Sequence, residues 1–319
     1  MSARRMALTV ACLAALGFLT GCAGSDPGTP DPPKASMSAH KELGDFTTIQ
    51  PCAMVDIKRL PADLKAALEP VDTLDSCALR VDSTGTPIRV EVGELTYADV
   101  DNADVENKPE ALPSGLQLYV GSAQQGTCAA YLRFADHIDL TSVAYATDGT
   151  GTLCATAAAV ARNVAGVLAK GPVPHRTYPA NSFATVDPCG LVYADDYSSL
   201  GYVDENNRFP ARHECDWIGN QSATNSLTVR LIFIAGPAPD AQALGGTASQ
   251  IGGRPSVTTS TTVGAAAECR IDTAGPALGA TQSKLYEIAQ IHVTYDNHTT
   301  GDACQAGTAL ADVVWLKLP

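Results

Sequence analysis

The chain has 319 residues, 45% of them hydrophobic, with 21 basic and 34 acidic side chains and a formal net charge of −13. That is enough apolar content for a packed core. The acidic balance excludes an electrostatic footprint for nucleic acid and argues against attachment to anionic lipid headgroups by charge.

Residues 1–21 read as a lipoprotein signal peptide. Arg4 and Arg5 form a positive start, and the apolar run from Met6 to Phe18 is too short to span a bilayer. "LTGC" (19–22) then forms a lipobox, which makes Cys22 the expected lipidation site. The acyl chains of a bacterial lipoprotein suffice for stable anchoring. Without residues 1–21 the net charge is −15, so the membrane link is expected from the lipid alone. The expected location is the extracytoplasmic face of the cell membrane. Residues 22–45, dominated by Pro, Gly, Ser and Ala, read as a flexible tether.

Cys12 leaves with the signal peptide and Cys22 takes the lipid, so eight cysteines remain. The first four are separated by 25, 51 and 26 residues and the last four by 26, 54 and 35. An even count in an exported chain points to disulfides. Each short interval reads as one helix or hairpin folded back on a neighbour. The expected bridges are therefore Cys52–Cys77, Cys128–Cys154, Cys189–Cys215 and Cys269–Cys304. In the chain-entropy picture each removes about 3–4 kcal/mol from the unfolded state. Zinc lacks the close CxxC or HxxxH ligand pair it needs, and no metal or other cofactor is expected.

The block rhythm goes with an internal repeat. "FTTIQPCAMV" (46–55) returns as "FATVDPCGLV" (183–192). The first domain is expected over 46–170, a linker over 171–182 and the second domain over 183–319. After Cys52, "AMVDIKRLPADLKAALEP" predicts a helix, with Pro61 in its first turn and Leu60, Leu64 and Leu68 on one face. Its counterpart "GLVYADDYSSLGY" predicts only a short one. Alternation then predicts strands in both copies: Ile88, Val90 and Val92 inward in "PIRVEVGEL", and Leu227, Val229, Leu231 and Phe233 inward in "SLTVRLIFI". "DSTGT" and "NQSATN" before these strands read as turns. The acidic stretch 97–110 reads as a solvated loop.

Near the third and fourth cysteines, "DLTSVAYATDGTGTLCATAAAVA" (139–161) lies over "EIAQIHVTYDNHTTGDACQAGTALA" (287–311). With Cys154 on Cys304, Val143 falls on Val293 and Tyr145 on Tyr295. The pattern is strand, turn, closing helix. Leu153, Ala157, Val160, Ala161, Val164 and Leu168 form one apolar stripe, and Ala309, Leu310, Val313, Val314 and Leu316 are expected to do the same. Nine extra residues in the second copy point to a longer loop around "TAGPALGATQSK" (273–284). The fold class expected is α+β: two tandem similar domains, each an antiparallel sheet with packing helices and two disulfides.

The lipobox, the tether, "DPCGLV" and a "CDW" 26 residues after the first cysteine resemble an actinobacterial lipoprotein family of unknown function with a DPC…CxW motif. The second copy carries that motif in Asp187, Pro188, Cys189, Leu191, Cys215 and Trp217, whereas the first has Gln50 and Leu79 at the Asp and Trp positions. More loosely, the chain is similar to the extracytoplasmic sensor domains of mycobacterial serine/threonine kinases, through its paired cysteines and its final helix (Cys154, Ala158, Ala161, Val164). The resemblance covers residues 46–319 and implies ligand or partner sensing at the envelope.

Chemistry is sparse. No GxSxG elbow, P-loop, HExxH or dinucleotide fingerprint occurs. "GTGT" (149–152) and "GGT" (245–247) read as turns. His292 and His298 are a weak metal pair, and His213 with Glu214 and Asp216 reads as a solvated strand start beside a disulfide. Trp217 is expected to pack on the Cys189–Cys215 bridge, with lining of a ligand pocket as its alternative role. Trp315 is left between covering the closing helix and contacting a partner. The function expected is a non-enzymatic, lipid-anchored binding or sensor lipoprotein with an unidentified envelope ligand or partner. An accessory or scaffolding subunit of a membrane complex is the second reading, and an envelope hydrolase the third.

Overall fold

A computed structural model describes residues 35–72, 74–83, 86–98, 108–146, 152–193, 203–206, 210–222, 225–278 and 285–319. Two antiparallel seven-stranded sheets carry four helices: α1 (Ala39–Leu43), α2 (Leu153–Leu168), α3 (Ala241–Leu244) and α4 (Thr300–Lys317). The first sheet holds β1 (Lys65–Asp72), β2 (Cys77–Ser83), β3 (Thr86–Tyr97), β4 (Glu110–Ala111), β5 (Gln117–Val120), β6 (Thr127–Arg133) and β7 (Ile138–Tyr145), ordered β1-β2-β3-β7-β6-β5-β4. The second holds β8 (Val203–Asn206), β9 (Glu214–Ser222), β10 (Asn225–Pro237), β11 (Thr247–Ile251), β12 (Arg254–Val263), β13 (Ala266–Ala277) and β14 (Leu285–Asp296), ordered β8-β9-β10-β14-β13-β12-β11. The two orders are the same topology written twice. The class is mixed α+β, and both sheets lie within one contact-dense unit. Among the described residues no helix is long and apolar enough to cross a membrane.

All four expected disulfides are present: Cys52–Cys77, Cys128–Cys154, Cys189–Cys215 and Cys269–Cys304. In each half the first ties a 3₁₀ turn opened by a proline (Pro51–Met54, Pro188–Leu191) to the second strand. The second ties the closing helix to the sheet. The alternating strands run as expected. Ile88, Val90 and Val92 are buried, as are Leu227, Val229, Leu231 and Phe233, and they meet α2 and α4 in two hydrophobic cores. Every residue of the α2 stripe is buried.

Several expectations are corrected. The segment after Cys52 forms 3₁₀ turns and then the edge strand β1, not a helix. A Leu60/Leu64/Leu68 spacing fits a helix, but pairing with β2 takes the backbone of residues 65–72, and Leu68 points to solvent. Helix α4 buries Ala303, Ala306, Gly307, Leu310, Ala311, Val314 and Trp315, so its inner face is rotated from the stripe read in sequence, and Leu316 is exposed. The residues expected as a longer loop partly extend the β13–β14 hairpin, since 273–277 are strand and 279–284 lie outside the described residues. "GGT" is a turn, with Gly245 capping α3 in the left-handed conformation, while "DSTGT", "NQSATN", "GTGT", the acidic stretch and the segment after Leu191 fall partly outside the described residues.

The repeat alignment slips by one residue in the last strand. Cys128 lies opposite Ala144, and Cys269 lies opposite Val293. Ala144, not Val143, is therefore the counterpart of Val293. A one-residue slip in a strand reverses every side chain, and Val143 indeed sits on the outer face while Val293 is buried.

Residues 36–45, read as tether, belong to the first half. Ala39 and Leu43 are fully buried, and Asp136 in the β6–β7 turn accepts from Ser38 Oγ (2.8 Å), Ala39 N (2.9 Å), His40 N (3.1 Å) and His40 Nδ1 (2.8 Å). The connecting segment is likewise held. His175 bridges to Ile49, Gln50 N donates to Pro174 O, and Arg176 N donates to Thr48 O.

Candidate functional site

The inner faces are alike; the outer faces are not. In the second sheet Asp216, Arg230, His292, Arg270 and Thr259 stand opposite one another in a single row across five strands. The matching row of the first sheet is Ala78, Glu91, Val143 and Ala129. Alternation places these side chains opposite the core, where charge is ordinarily solvated. Here much of it is not. Glu214 and Asp216 are each 6% exposed, Asp272 1% and His213 1%. The expectation of a solvated strand start at His213–Asp216 is overturned.

At His213 and Glu214 the other half of the chain contributes to that burial. Leu74, between β1 and β2, inserts into the core of the second half. Next to it, Asp75 hydrogen-bonds His213 Nδ1, while His213 Nε2 lies 3.2 Å from Ala184 O. Both ring nitrogens thus face acceptors. A neutral imidazole has one donor only, so the geometry calls for the imidazolium. Burial alone would lower the histidine's pKa, but the Asp75 charge and hydrogen bond raise it above the ordinary value.

A cavity of about 200 Å³ opens at this junction, lined by Leu74, Asp75, Ser76, Glu91, Glu94, Glu214, Ile232, Phe233 and Ile234. Glu94 reaches it through a β-bulge. The β3–β7 register shifts between Val92 and Leu95, so both of those residues face the core while Glu91 and Glu94 share the outer face. Gly93 makes the bulge feasible: its φ is +116°, and a Cβ there would lie 3.1 Å from Met54 and from Pro51. No such shift occurs between β10 and β14.

Arg230 is shared. Its Nε and Nη2 donate to Asp216 at 2.8 and 3.2 Å. Glu214 Oε1 is 2.9 Å from the same Nε but has no hydrogen bond, because the single Nε hydrogen is given to Asp216. Burial therefore dominates, reinforced by the Asp216, Glu94 and Asp75 charges and only partly offset by Arg230, and pushes Glu214 up to about 8. Burial and the Asp75 charge push Glu94 up to about 7. Further along the row, burial and two flanking arginines hold His292 down at about 4, so it is neutral at pH 7.

Comparison with protein families, curated proteins and solved structures returned no match.

The sequence-level candidates are distributed as follows. Trp217 is 1% exposed in the second core, together with both cysteines of the 189–215 bridge, and does not line the junction cavity. Trp315 is also buried, and its Nε1 donates to Ser256 Oγ at 3.2 Å. His292 and His298 are not brought together as a metal pair. His298 stacks on Tyr295 with ring centroids 3.5 Å apart, and no metal-competent group of side chains occurs among the described residues. Asp187 caps its own turn through Cys189 N, whereas Gln50 donates to His175 O instead. Cys22 lies outside the described residues. Asp75 and Glu94 were missed by sequence reading. The glycine inside an alternating strand, Gly93, was the available signal for the second of them.

Proposed function

We propose that this chain is a lipid-anchored, extracytoplasmic binding or sensor module of the cell envelope without catalytic activity, built from two tandem similar domains. The observation that carries the reading is the junction. Ionisable side chains from both halves are withdrawn from water around one cavity, so a bound molecule or a change of solution acts directly on how the halves meet. Four disulfides agree with an oxidising compartment, the lipobox ending at Cys22 supports the anchor, and the shared strand order supports duplication of one domain.

Two measurements test this. Cys22→Ser should move the protein from the membrane to the soluble fraction; continued membrane attachment rejects the anchor. Titrating that soluble form with fractionated envelope components should raise its melting temperature, and Glu94→Gln/Glu214→Gln should abolish the rise. A rise that survives the double substitution removes the junction as the binding site.

One observation favours the accessory-subunit reading. β1 carries Lys65 and Glu69, and β4 is two residues long between Pro109 and Pro113. Such features blunt a sheet edge. β11 has neither charge nor proline, and residues 247–250 are exposed. An uncharged open edge is suited to pairing with a partner strand.

A further inference from the structure

We propose that the junction between the two halves is a proton-binding site, and that proton release loosens the halves from each other. The inference rests on the binding or sensor reading above and names the ligand to which the junction responds.

The groups that meet there come from several elements. The first half supplies Asp75 between β1 and β2, and Glu91 and Glu94 on β3. The second supplies His213, Glu214 and Asp216 at and before β9, Arg230 on β10 and Glu287 on β14. Tyr178 of the connecting segment faces Asp75 and Glu287, with Arg176 bonded to it. Carboxyls outnumber cations; Arg89 of β3 is held by Glu91 and Glu69, and Tyr145 of β7 also faces Glu91 and Glu94. Arg230 gives its Nε hydrogen and one Nη2 hydrogen to Asp216. His213 gives one to Asp75 and one to Ala184 O. Glu287 takes Ser182 Oγ and Phe183 N. Glu94 and Glu214, one from each half, then face a cavity whose remaining lining is Asp75, Ser76 and Glu91 on the polar side and Leu74, Ile232, Phe233 and Ile234 on the apolar side. Two carboxylates in such a space repel and are poorly hydrated, whereas two carboxyl groups are tolerated.

All three key groups respond in the same direction. Glu94, Glu214 and His213 each hold a proton more tightly when the junction is closed. A raised value contributes stability that is complete below the group's ordinary pKa and is lost as pH rises through the shifted one. For the two glutamates that loss runs from 4.5 up to about 7 and about 8. For His213 it begins above 6.5. Closure is thus an acid-side state and loosening an alkaline one.

Hydrogen exchange on the Cys22→Ser chain tests this, with rates corrected for the intrinsic effect of pH. Between about pH 6 and about pH 8.5, amides of residues 74–77 and 213–216 should lose at least roughly tenfold in protection, while those of α2 change little. Glu94→Gln/Glu214→Gln, which mimics the protonated pair, should hold the loss to less than about threefold. His213→Gln should lower protection at both pH values; should it fail to fold, the glutamine pair still decides. Equal wild-type protection at the two pH values overturns the proposal, as does an undiminished loss in the double variant. A flat profile leaves the ligand titration above as the separate test of the binding reading.

Discussion

One histidine–aspartate pair lies within the first half and another joins the two halves, and they differ in almost every physical respect. In the first half, His40 and Asp136 meet at the surface, with the histidine side chain 69% exposed. At the junction, His213 and Asp75 meet with the histidine 1% exposed. The same contrast runs through the sheets. Their inner faces, disulfides and strand order coincide, while the outer row is uncharged but for Glu91 in one and salt-bridged in the other. Inward positions are constrained by packing in both copies. The outward row of the second sheet carries charges, and the first half covers those beside His213 and Glu214. Buried ion pairs occur inside each half as well, Arg133–Asp139 and Arg270–Asp272, but the cluster of carboxyls around a cavity lies where the halves meet.

Substitutions can break that contrast at several strengths. The largest effect is expected for Asp75→Ala, which strands a buried cation and should cost roughly 3–5 kcal/mol in urea unfolding. His40→Ala at the exposed pair should cost less than about 1 kcal/mol. Equal losses would show that burial at the junction is not what separates the two pairs. Next comes the core difference. Trp217→Leu, which makes the second half resemble Leu79 of the first, should cost about 2–4 kcal/mol by calorimetry, and Leu79→Trp about 1–3 kcal/mol through overpacking. Gly93→Ala forces a side chain at φ +116° against Met54 and Pro51, at about 1–3 kcal/mol. It should also flatten the alkaline loss of protection by displacing Glu94. The smallest effect is at the turn caps. Asp187→Ala should cost about 1 kcal/mol and Gln50→Ala less, because only Asp187 accepts from its turn's N–H.

The pairs also predict opposite responses to pH. Burial opposes ionisation of Asp136, but bonds from Ala39, His40 and Ser38 outweigh it and hold its pKa below 3.8. A lowered carboxylate contributes stability above its ordinary pKa and loses it as pH falls through the shifted value. The α1 attachment should therefore weaken only below about pH 4, the reverse of the junction. Exchange of residue 38–43 amides across an acid series would show this, and early release in alkali would contradict it.

Much of the fold was legible because its signals are local. Ile88/Val90/Val92 alternate within one strand, the α2 stripe repeats within one helix, and the cysteine intervals follow the same short–long–short rhythm in both halves. Three features were not legible for stated reasons. Leu60, Leu64 and Leu68 carry a helical spacing, but β2 supplied a competing backbone partner. Val143 resembles Val293, yet identity says nothing about which face of a strand a residue occupies. The junction depends on Asp75 and His213, 138 residues apart, and contacts between halves help to bury the charges of His213–Asp216. Nothing near a charged triplet in sequence announces that another copy of the same domain will cover it.

The attachment of residues 38–40 has a mechanical side. Four donors converge on one carboxylate, that of Asp136, rather than on four separate acceptors. Force applied along the preceding chain would load these bonds in parallel, so they must rupture together instead of peeling one by one. Asp136 sits in the β6–β7 turn of the first sheet, so such a pull is met within that sheet, at the Ser36 and Met37 bonds to Gly115 O and then at Asp136. A tug on the amino-terminal segment and a change in acidity would then act on different parts of the protein.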